Sequence, residues 1–287
     1  MGPVGPAARL PFRPGHGAHC RGGGAHHSPH PARGAGVGGA RRGVIQKNTR
    51  FVLVRPRNPL NIGAAARAMA NFGFEEMVAV KPHAPVWKET TSAVGAERLV
   101  LAARATQSIE EATGDCALVV GTTALRDRRA DRPVVPLPSL ADHLCRHHPE
   151  VLAGRARAAV LFGSEKTGLP GTYLARCHFW ITIPTDDRTP SMNLSHAVAL
   201  TAYAWAQAGA RPAPALRAGE PAMATVADRR RLATHAREVF DAVGFLPFLS
   251  AAEKTRKARE KLLAWRIQRP DVALMHGLFR FVLRRVK

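Results

Sequence analysis

An α/β fold with a parallel sheet covered on both faces is what this sequence predicts, and three observations carry that prediction. Compact apolar runs end abruptly in Pro, Gly or Thr, and longer Ala-rich stretches at helical spacing separate them. The alternation holds from residue 50 to residue 208.

Taken in order, the strand candidates are "RFVLVRP" (50–56), "MVAVKP" (77–82), "CALVVGTT" (116–123), "AAVLFGSE" (158–165) and "FWITIPT" (179–185). Such near-continuous apolar runs fit strands buried on both faces, because a sheet with one wet face would alternate apolar and polar positions. The helical stretches lie around 61–73, 93–111, 139–148 and 194–208.

Outside this core the texture changes. Residues 1–47 are Gly, Pro, Ala, His and Arg without period, too poor in large apolar side chains to offset ordering entropy, so a disordered basic tail is expected. Its glycines follow no strand and fail the dinucleotide-loop pattern. The α/β domain is placed at 48–209, a Pro-rich linker at 210–225, and a basic helical extension at 226–287.

The chain of 287 residues carries a net charge of +21. Residues 1–50 hold eight Lys/Arg and no acid, and residues 211–287 hold 17 Lys/Arg against seven acids, so the positive charge sits at the ends. A polyanion suits such flanks, nucleic acid ahead of membrane because no lipid-binding amphipathic pattern accompanies them. The four cysteines, Cys20, Cys116, Cys145 and Cys177, include no C-x-x-C pair, which argues against a zinc site or disulfide framework and for a reducing, cytoplasmic setting. No apolar run approaches the roughly 20 residues a bilayer span needs.

Three motifs sit at the ends of the strand candidates. In "NPLNIGAAARAMANFGF" (58–74), Asn61 is expected to cap a helix whose apolar stripe is Ile62, Ala65, Ala66, Met69 and Phe72. Gly63, Arg67 and Asn71 then stack on another, bare face. Either the helix packs tightly with Arg67 pairing a carboxylate, or a ligand or second chain approaches that face.

In "LFGSEKTGLP" (161–170), Gly163 and Gly168 bracket Glu165 in a tight turn at a strand's C-terminal end, where α/β folds bind ligands, and no P-loop lysine follows. In "IPTDDRTPSMNLSHAVAL" (183–200), Ser191, Asn193 and Ser195 offer more capping groups than one helix uses. Ser191 and His196 diverge on a helix and no nucleophile elbow is present, so a hydrolase pair is set aside.

Together these motifs resemble the signatures of the SpoU branch of the SPOUT RNA methyltransferases. Asn61, Gly63, Ala64 and Arg67 match its first motif. Phe162, Gly163, Glu165, Gly168 and Leu169 match its second, and Ile183, Pro184, Ser191, Asn193, Leu194 and Ser195 its third; "GTTALR" (121–126) is similar to a further strand-end loop.

The resemblance implies a parallel-sheet SPOUT fold with a C-terminal trefoil knot, S-adenosylmethionine as cofactor, no metal, and a homodimer whose active site draws on both chains. It implies Thr122, Thr123, Ala124, Gly163, Ile183, Ser191 and Met192 as cofactor-binding residues, and Arg67, Asn61, Glu165, Ser191 and Asn193 as the catalytic set. The substrate would be RNA rather than DNA, methylated on a ribose 2′-hydroxyl. A basic helical extension after the core is similar to the TrmJ group, which implies tRNA and position 32 of the anticodon loop (cytidine or uridine). Ribosomal RNA or another tRNA position shares every motif, and an RNA-binding knot without catalysis is a further alternative. A guanidinium is ordinarily always charged, so Arg67 is either the base of the reaction or a clamp for phosphate or alkoxide charge.

Overall fold

Runs of Val, Leu, Ile and Phe settle where helices cover both faces of a sheet. In the computed structural model, which describes residues 43–83, 87–125, 130–212 and 215–286, they form a seven-stranded parallel sheet. The expected basic tail, with Cys20, lies outside the described residues except at its last few positions. Arg126 of "GTTALR" lies outside them as well.

The elements run α1 (Val44–Lys47), β1 (Thr49–Val54), α2 (Pro59–Asn71), β2 (Glu76–Val80), α3 (Glu97–Ala102), β3 (Arg104–Thr106), α4 (Ile109–Thr113), β4 (Leu118–Thr122) and β5 (Val134–Pro136). After a 3-10 turn at Leu137–Ser139 come α5 (Leu140–His147), α6 (Pro149–Leu152), β6 (Ala158–Phe162), α7 (Gly171–Leu174), β7 (Phe179–Thr182) and α8 (Leu194–Ala210). Three more helices follow: α9 (Val226–Ala242), α10 (Ala251–Ala264) and α11 (Arg269–Val286).

The strand order is β3-β2-β1-β6-β4-β7-β5, with every pairing parallel. Within β1 the pleat sends Phe51 and Leu53 into one core layer with Ile62, Met69, Val198 and Trp205, and Val52 and Val54 into the other with Ile109, Leu174 and Trp180. Trp205 Nε1 donates to Thr49 Oγ1 at 3.0 Å, and that hydroxyl donates to Ile45 O at 2.7 Å. This buried relay ties α8, β1 and α1 together.

Four expectations are corrected by the structure. The single helix expected over 93–111 is α3, β3 and α4: Ser108 accepts from the Glu111 amide and Glu111 from the Gln107 amide, a reciprocal cap that restarts the chain as α4. The first-motif helix is capped by Asn58, whose side chain accepts from Leu60 N with Pro59 at the first helical position, which frees the Asn61 amide. Val44–Lys47, assigned to the tail, forms a helical turn with Ile45 buried against α8. The last part of the expected linker is packed, since Ala224 is buried and its amide donates to Ile267 O at 2.9 Å.

Helices α9, α10 and α11 enclose their own apolar cluster of Leu232, Ala233, Leu262, Ile267 and Val272. They are also bonded to the sheet domain. Val226 N donates to Cys116 O at 2.8 Å, Ala227 N to Gly114 O at 2.9 Å, and Arg266 Nη2 to Glu150 Oε2 at 2.9 Å. Arg229 is buried, its guanidinium pulled down to about 10 by that burial, and it donates to the carbonyls of Ala117 and Ala224.

At the N-terminal ends of β2, β1, β6 and β4 a ring of charge closes. Arg50, 3% exposed, bonds Glu76 Oε1 (2.7 Å) and both Asp115 oxygens (2.7 and 3.1 Å), while Arg157 bonds Glu76 Oε2 and shares Asp115 Oδ2, each at 2.5 Å. Desolvation works to raise the Asp115 carboxyl, but the hydrogen bond and charge of Arg50, with Arg157, hold it below its ordinary range.

Arg50→Met leaves Glu76 and Asp115 to Arg157 alone and strips a buried charge-assisted bond from Ala112 O, so it is expected to lower unfolding stability by about 2 kcal/mol in urea titrations. A depressed carboxyl adds stability above its unfolded pKa and loses it as pH falls through the lower folded value. Stability should therefore decline on acidification below the ordinary Asp range, and Arg50→Met should flatten that decline.

Candidate active site

The C-terminal ends of β4, β6 and β7 are neighbours in the sheet, and the loops leaving them enclose a cleft of ≈ 290 Å³. Each loop has a local cause. After β6, a Cβ at Gly163 would overlap the Gly168 carbonyl and the Leu169 amide, so only glycine lets the turn fold back on itself. Gly168 takes the left-handed conformation, φ 63°, and its amide donates to Ser164 O at 2.9 Å. After β4, Thr122 Oγ1 donates to Leu161 O at 2.9 Å and Thr123 Oγ1 accepts from Leu125 N at 3.1 Å. After β7, the polar loop ends where Asn193 caps α8.

The turn places Glu165 against the start of α2. Its carboxylate accepts from the amides of Arg57 and Asn58 at 3.3 Å and from Asn61 Nδ2 at 3.0 Å, the arrangement a helix N-terminus favours. Asn61 Oδ1 then accepts from Asn193 Nδ2 at 3.1 Å, and Asn193 Oδ1 accepts from Ser195 N and Oγ at 2.9 and 2.7 Å. One hydrogen-bonded chain thus joins the three sequence motifs.

All seven residues expected to bind cofactor, Thr122, Thr123, Ala124, Gly163, Ile183, Ser191 and Met192, line the cleft, as does Glu165. Asn61 and Asn193 stand behind it in the hydrogen-bonded chain. Arg67 does neither. It is exposed on α2 and, among the described residues, has no hydrogen-bond or ion-pair partner. Gly63, on the same face, is covered by Thr90 and Ser92 of this chain, so the bare surface expected there is partly filled from within.

The sequence reading missed Leu125, Phe162, Thr167, Leu169, Thr185, Leu194 and Ala197 in the lining. Most of them sit within or beside the quoted motifs, and their side-chain direction is set by turn geometry that spacing does not encode. His196 is exposed on α8 and does not line the cleft.

Apolar walls from Phe162, Ile183, Met192 and Leu194 beside the hydroxyls of Thr122, Thr123, Thr185 and Ser191 form a chemistry that suits a nucleoside carrying a polar chain. Residues 48–203 match the SpoU rRNA Methylase family.

The chain belongs to the SpoU family.

Among SpoU-related proteins it is 39% identical over 168 residues to "tRNA (cytidine/uridine/adenosine-2'-O-)-methyltransferase TrmJ" of Pseudomonas aeruginosa, covering 57% of this chain and 63% of that protein. It is 30% identical over 236 residues to "tRNA (cytidine/uridine-2'-O-)-methyltransferase TrmJ" of Sodalis glossinidius, covering 80% and 89%. In structure it is similar to TrmJ from Z. mobilis ZM4, with a TM-score of 0.65, 28% identity, and coverage of 82% of this chain and 98% of that one. The chain therefore spans just under two thirds of the Pseudomonas protein and most of the other two. Helices α9 to α11 follow the segment matched to the family.

Because backbone atoms, not a flexible side chain, occupy the space beside Gly163, Gly163→Ala must open the 163–168 turn. The expected result is a loss of about 2 kcal/mol or more in urea unfolding, with faster amide hydrogen exchange at Gly168 and Leu169.

Proposed function

We propose that this chain transfers a methyl group from S-adenosylmethionine to the ribose 2′-hydroxyl of a tRNA nucleotide, cytidine or uridine at anticodon-loop position 32. The observation that carries the reading is the Glu165–Asn61–Asn193 chain beside the cleft, which joins the motifs of a SpoU methyltransferase in one place. The tRNA 2'-O-methyltransferase names of the Pseudomonas and Sodalis relatives favour this substrate over ribosomal RNA.

S-adenosylmethionine, when bound, supplies a methyl group on a sulfonium centre. In this reading Thr122, Thr123, Ala124, Gly163, Ile183, Ser191 and Met192 would hold it, since together they offer both apolar surface and hydroxyls to a ligand that has both kinds of group. Glu165 and Asn61 keep the turn after β6 seated on α2, and Asn193 holds the third loop against both. Ser191, exposed on the cleft wall, orients the target ribose. A ribose hydroxyl is a weak nucleophile at neutral pH, so its proton must pass to an acceptor such as an RNA backbone phosphate oxygen as the hydroxyl oxygen takes the methyl in line and the sulfonium departs as a neutral thioether.

Arg67 supplies positive charge for that step. It lies outside its own chain's cleft lining and is free of partners among the described residues, which fits a residue lent to the site of a second copy. Leu60 on α2 and Leu200 and Tyr203 on α8 are the exposed apolar side chains such a homodimer would cover. A trefoil knot belongs to the same proposal: β6, β4 and β7 lie side by side at the cleft, and α8 returns from the third loop to pack on α2 and α5. The working place is the cytoplasm, where tRNA is found.

The extension would hold tRNA by charge. Several of its cations are already paired, as in Lys254–Asp241 and Arg256–Glu260, whereas Lys257, Lys261, Arg280 and Arg284 are exposed without a hydrogen-bond or ion-pair partner among the described residues. Cutting the chain after α8 is a poor test, because it would strip hydrogen-bond partners from Gly114 and Cys116.

Mass-spectrometric mapping of total RNA from a cell lacking this protein should show loss of one 2′-O-methyl group at tRNA position 32. An unmodified tRNA pool with an altered ribosomal RNA would overturn the substrate assignment. Arg67→Lys should keep a measurable part of the methyl transfer if the guanidinium acts as charge. Transfer lost by 100-fold or more, with S-adenosylmethionine and tRNA binding intact, assigns Arg67 to proton removal instead. Replacing Lys257, Lys261, Arg280 and Arg284 with Gln should weaken tRNA binding at low salt and leave cofactor affinity unchanged. Its salt slope should shrink by about 0.7 to 0.9 for each phosphate that is no longer neutralised.

A further inference from the structure

Among the described residues, four that are not glycine adopt left-handed backbone, and three of these stand at the C-terminal edge of the sheet: Arg55 (φ 51°), Lys81 (φ 48°) and Leu125 (φ 58°). Leu125 lines the cleft. Arg55 and Lys81 follow β1 and β2 directly, and the register Val54↔Val80 makes them next-door positions on adjacent strands. Their amides are still held, Arg55 N by Val80 O at 2.8 Å and Lys81 N by Thr106 O at 2.9 Å. Long side chains with a Cβ are disfavoured in this conformation, where Gly, Asn and Asp sit easily. Strain of this kind tends to be retained where the side chain has work to do.

Both side chains are exposed and lack a hydrogen-bond or ion-pair partner among the described residues. The same holds for Arg57, whose amide binds Glu165 while its side chain does not, and for Lys166 on the cleft rim. Glu165, the carboxylate next to them, is turned inward onto Arg57 N, Asn58 N and Asn61. Since β6, β1 and β2 are consecutive in the sheet, the cations run outward from the cleft: Lys166 after β6, Arg55 and Arg57 after β1, Lys81 after β2. Strand spacing makes that a span of roughly 10 Å. Cations spread along an edge do not converge on a small anion. A strand of regularly spaced phosphates matches them.

We propose that Arg55, Arg57, Lys81 and Lys166 form a track for the backbone phosphates of the RNA strand flanking the target nucleotide. This rests on the RNA methyltransferase reading above, and it adds a phosphate-binding surface on the sheet edge separate from the helical extension. The track fixes the path of the loop strand into the cleft, so it acts on substrate affinity rather than on methyl transfer.

The test uses the full chain carrying Arg55→Asn and Lys81→Asn together, because Asn tolerates the left-handed backbone. An RNA anticodon stem-loop is titrated over a salt series, with steady-state methylation, S-adenosylmethionine calorimetry and thermal melting alongside. The expected result is a salt slope smaller by about 1.4, from roughly 0.7 for each single-strand phosphate neutralised, with KM for the RNA raised several-fold. The kcat, cofactor affinity and melting temperature should hold or, for melting, rise as strain is relieved. Arg146→Gln on α5, which removes one exposed charge elsewhere, should leave the slope where it was.

An unchanged slope and KM in the double variant overturn the track. So does a fall in melting temperature together with failure to bind cofactor, which would make the two residues structural. If the unaltered chain methylates no tRNA, the proposed function fails, and the binding slope still decides for or against the phosphate track.

Discussion

The site depends on one carboxylate that can only accept hydrogen bonds. Glu165, fixed by the Gly163–Gly168 turn, takes amides from the start of α2 and turns the Asn61 NH₂ toward itself. That choice leaves Asn61 Oδ1 to accept from Asn193, whose own oxygen is then directed to Ser195 and the cap of α8. The polarity of the whole chain is set at its carboxylate end. Segments that leave β1, β6 and β7 are held in mutual register by it, and two of them, after β6 and β7, wall the cleft together with the loop after β4.

The two edges of the sheet are built on opposite electrostatic principles. At the N-terminal edge Arg50, Glu76, Asp115 and Arg157 satisfy one another in a closed ring around the buried Arg50, so charge there is paired and contributes to stability. At the C-terminal edge Arg55, Arg57, Lys81 and Lys166 stand without hydrogen-bond or ion-pair partners among the described residues, and the chain accepts left-handed backbone to keep two of them. Placing the neutralised network far from the cleft lets the functional edge stay positive. The extension combines both styles, with ion pairs and a buried Arg229 fixing it to the sheet domain and free cations facing outward.

The sheet was legible because parallel strands buried on both faces leave apolar runs that spacing cannot disguise, as at Phe51–Val54 and Ala158–Phe162. Short edge strands leave no such mark. Arg104–Thr106 and Val134–Pro136 have three residues each and were absorbed into a helix or missed. The capping role misassigned to Asn61 shows the limit of local chemistry: Asn58 and Asn61 both suit a cap, and a glutamate more than one hundred residues away decides between them. The motif residues lining the cleft were readable through family resemblance, whereas the left-handed strand ends were not, since nothing in "VRP" or "VKP" announces a positive φ.

If Asn61 and Asn193 act as one unit across two motifs, their truncations must couple, and a double-mutant cycle measures that coupling. S-adenosylmethionine affinity would be measured by calorimetry for the unaltered chain, Asn61→Ala, Asn193→Ala and the double variant. A coupling energy of about 0.5 kcal/mol or more is expected, because either truncation already breaks the chain. Strict additivity of the two losses, within about 0.3 kcal/mol, would contradict it.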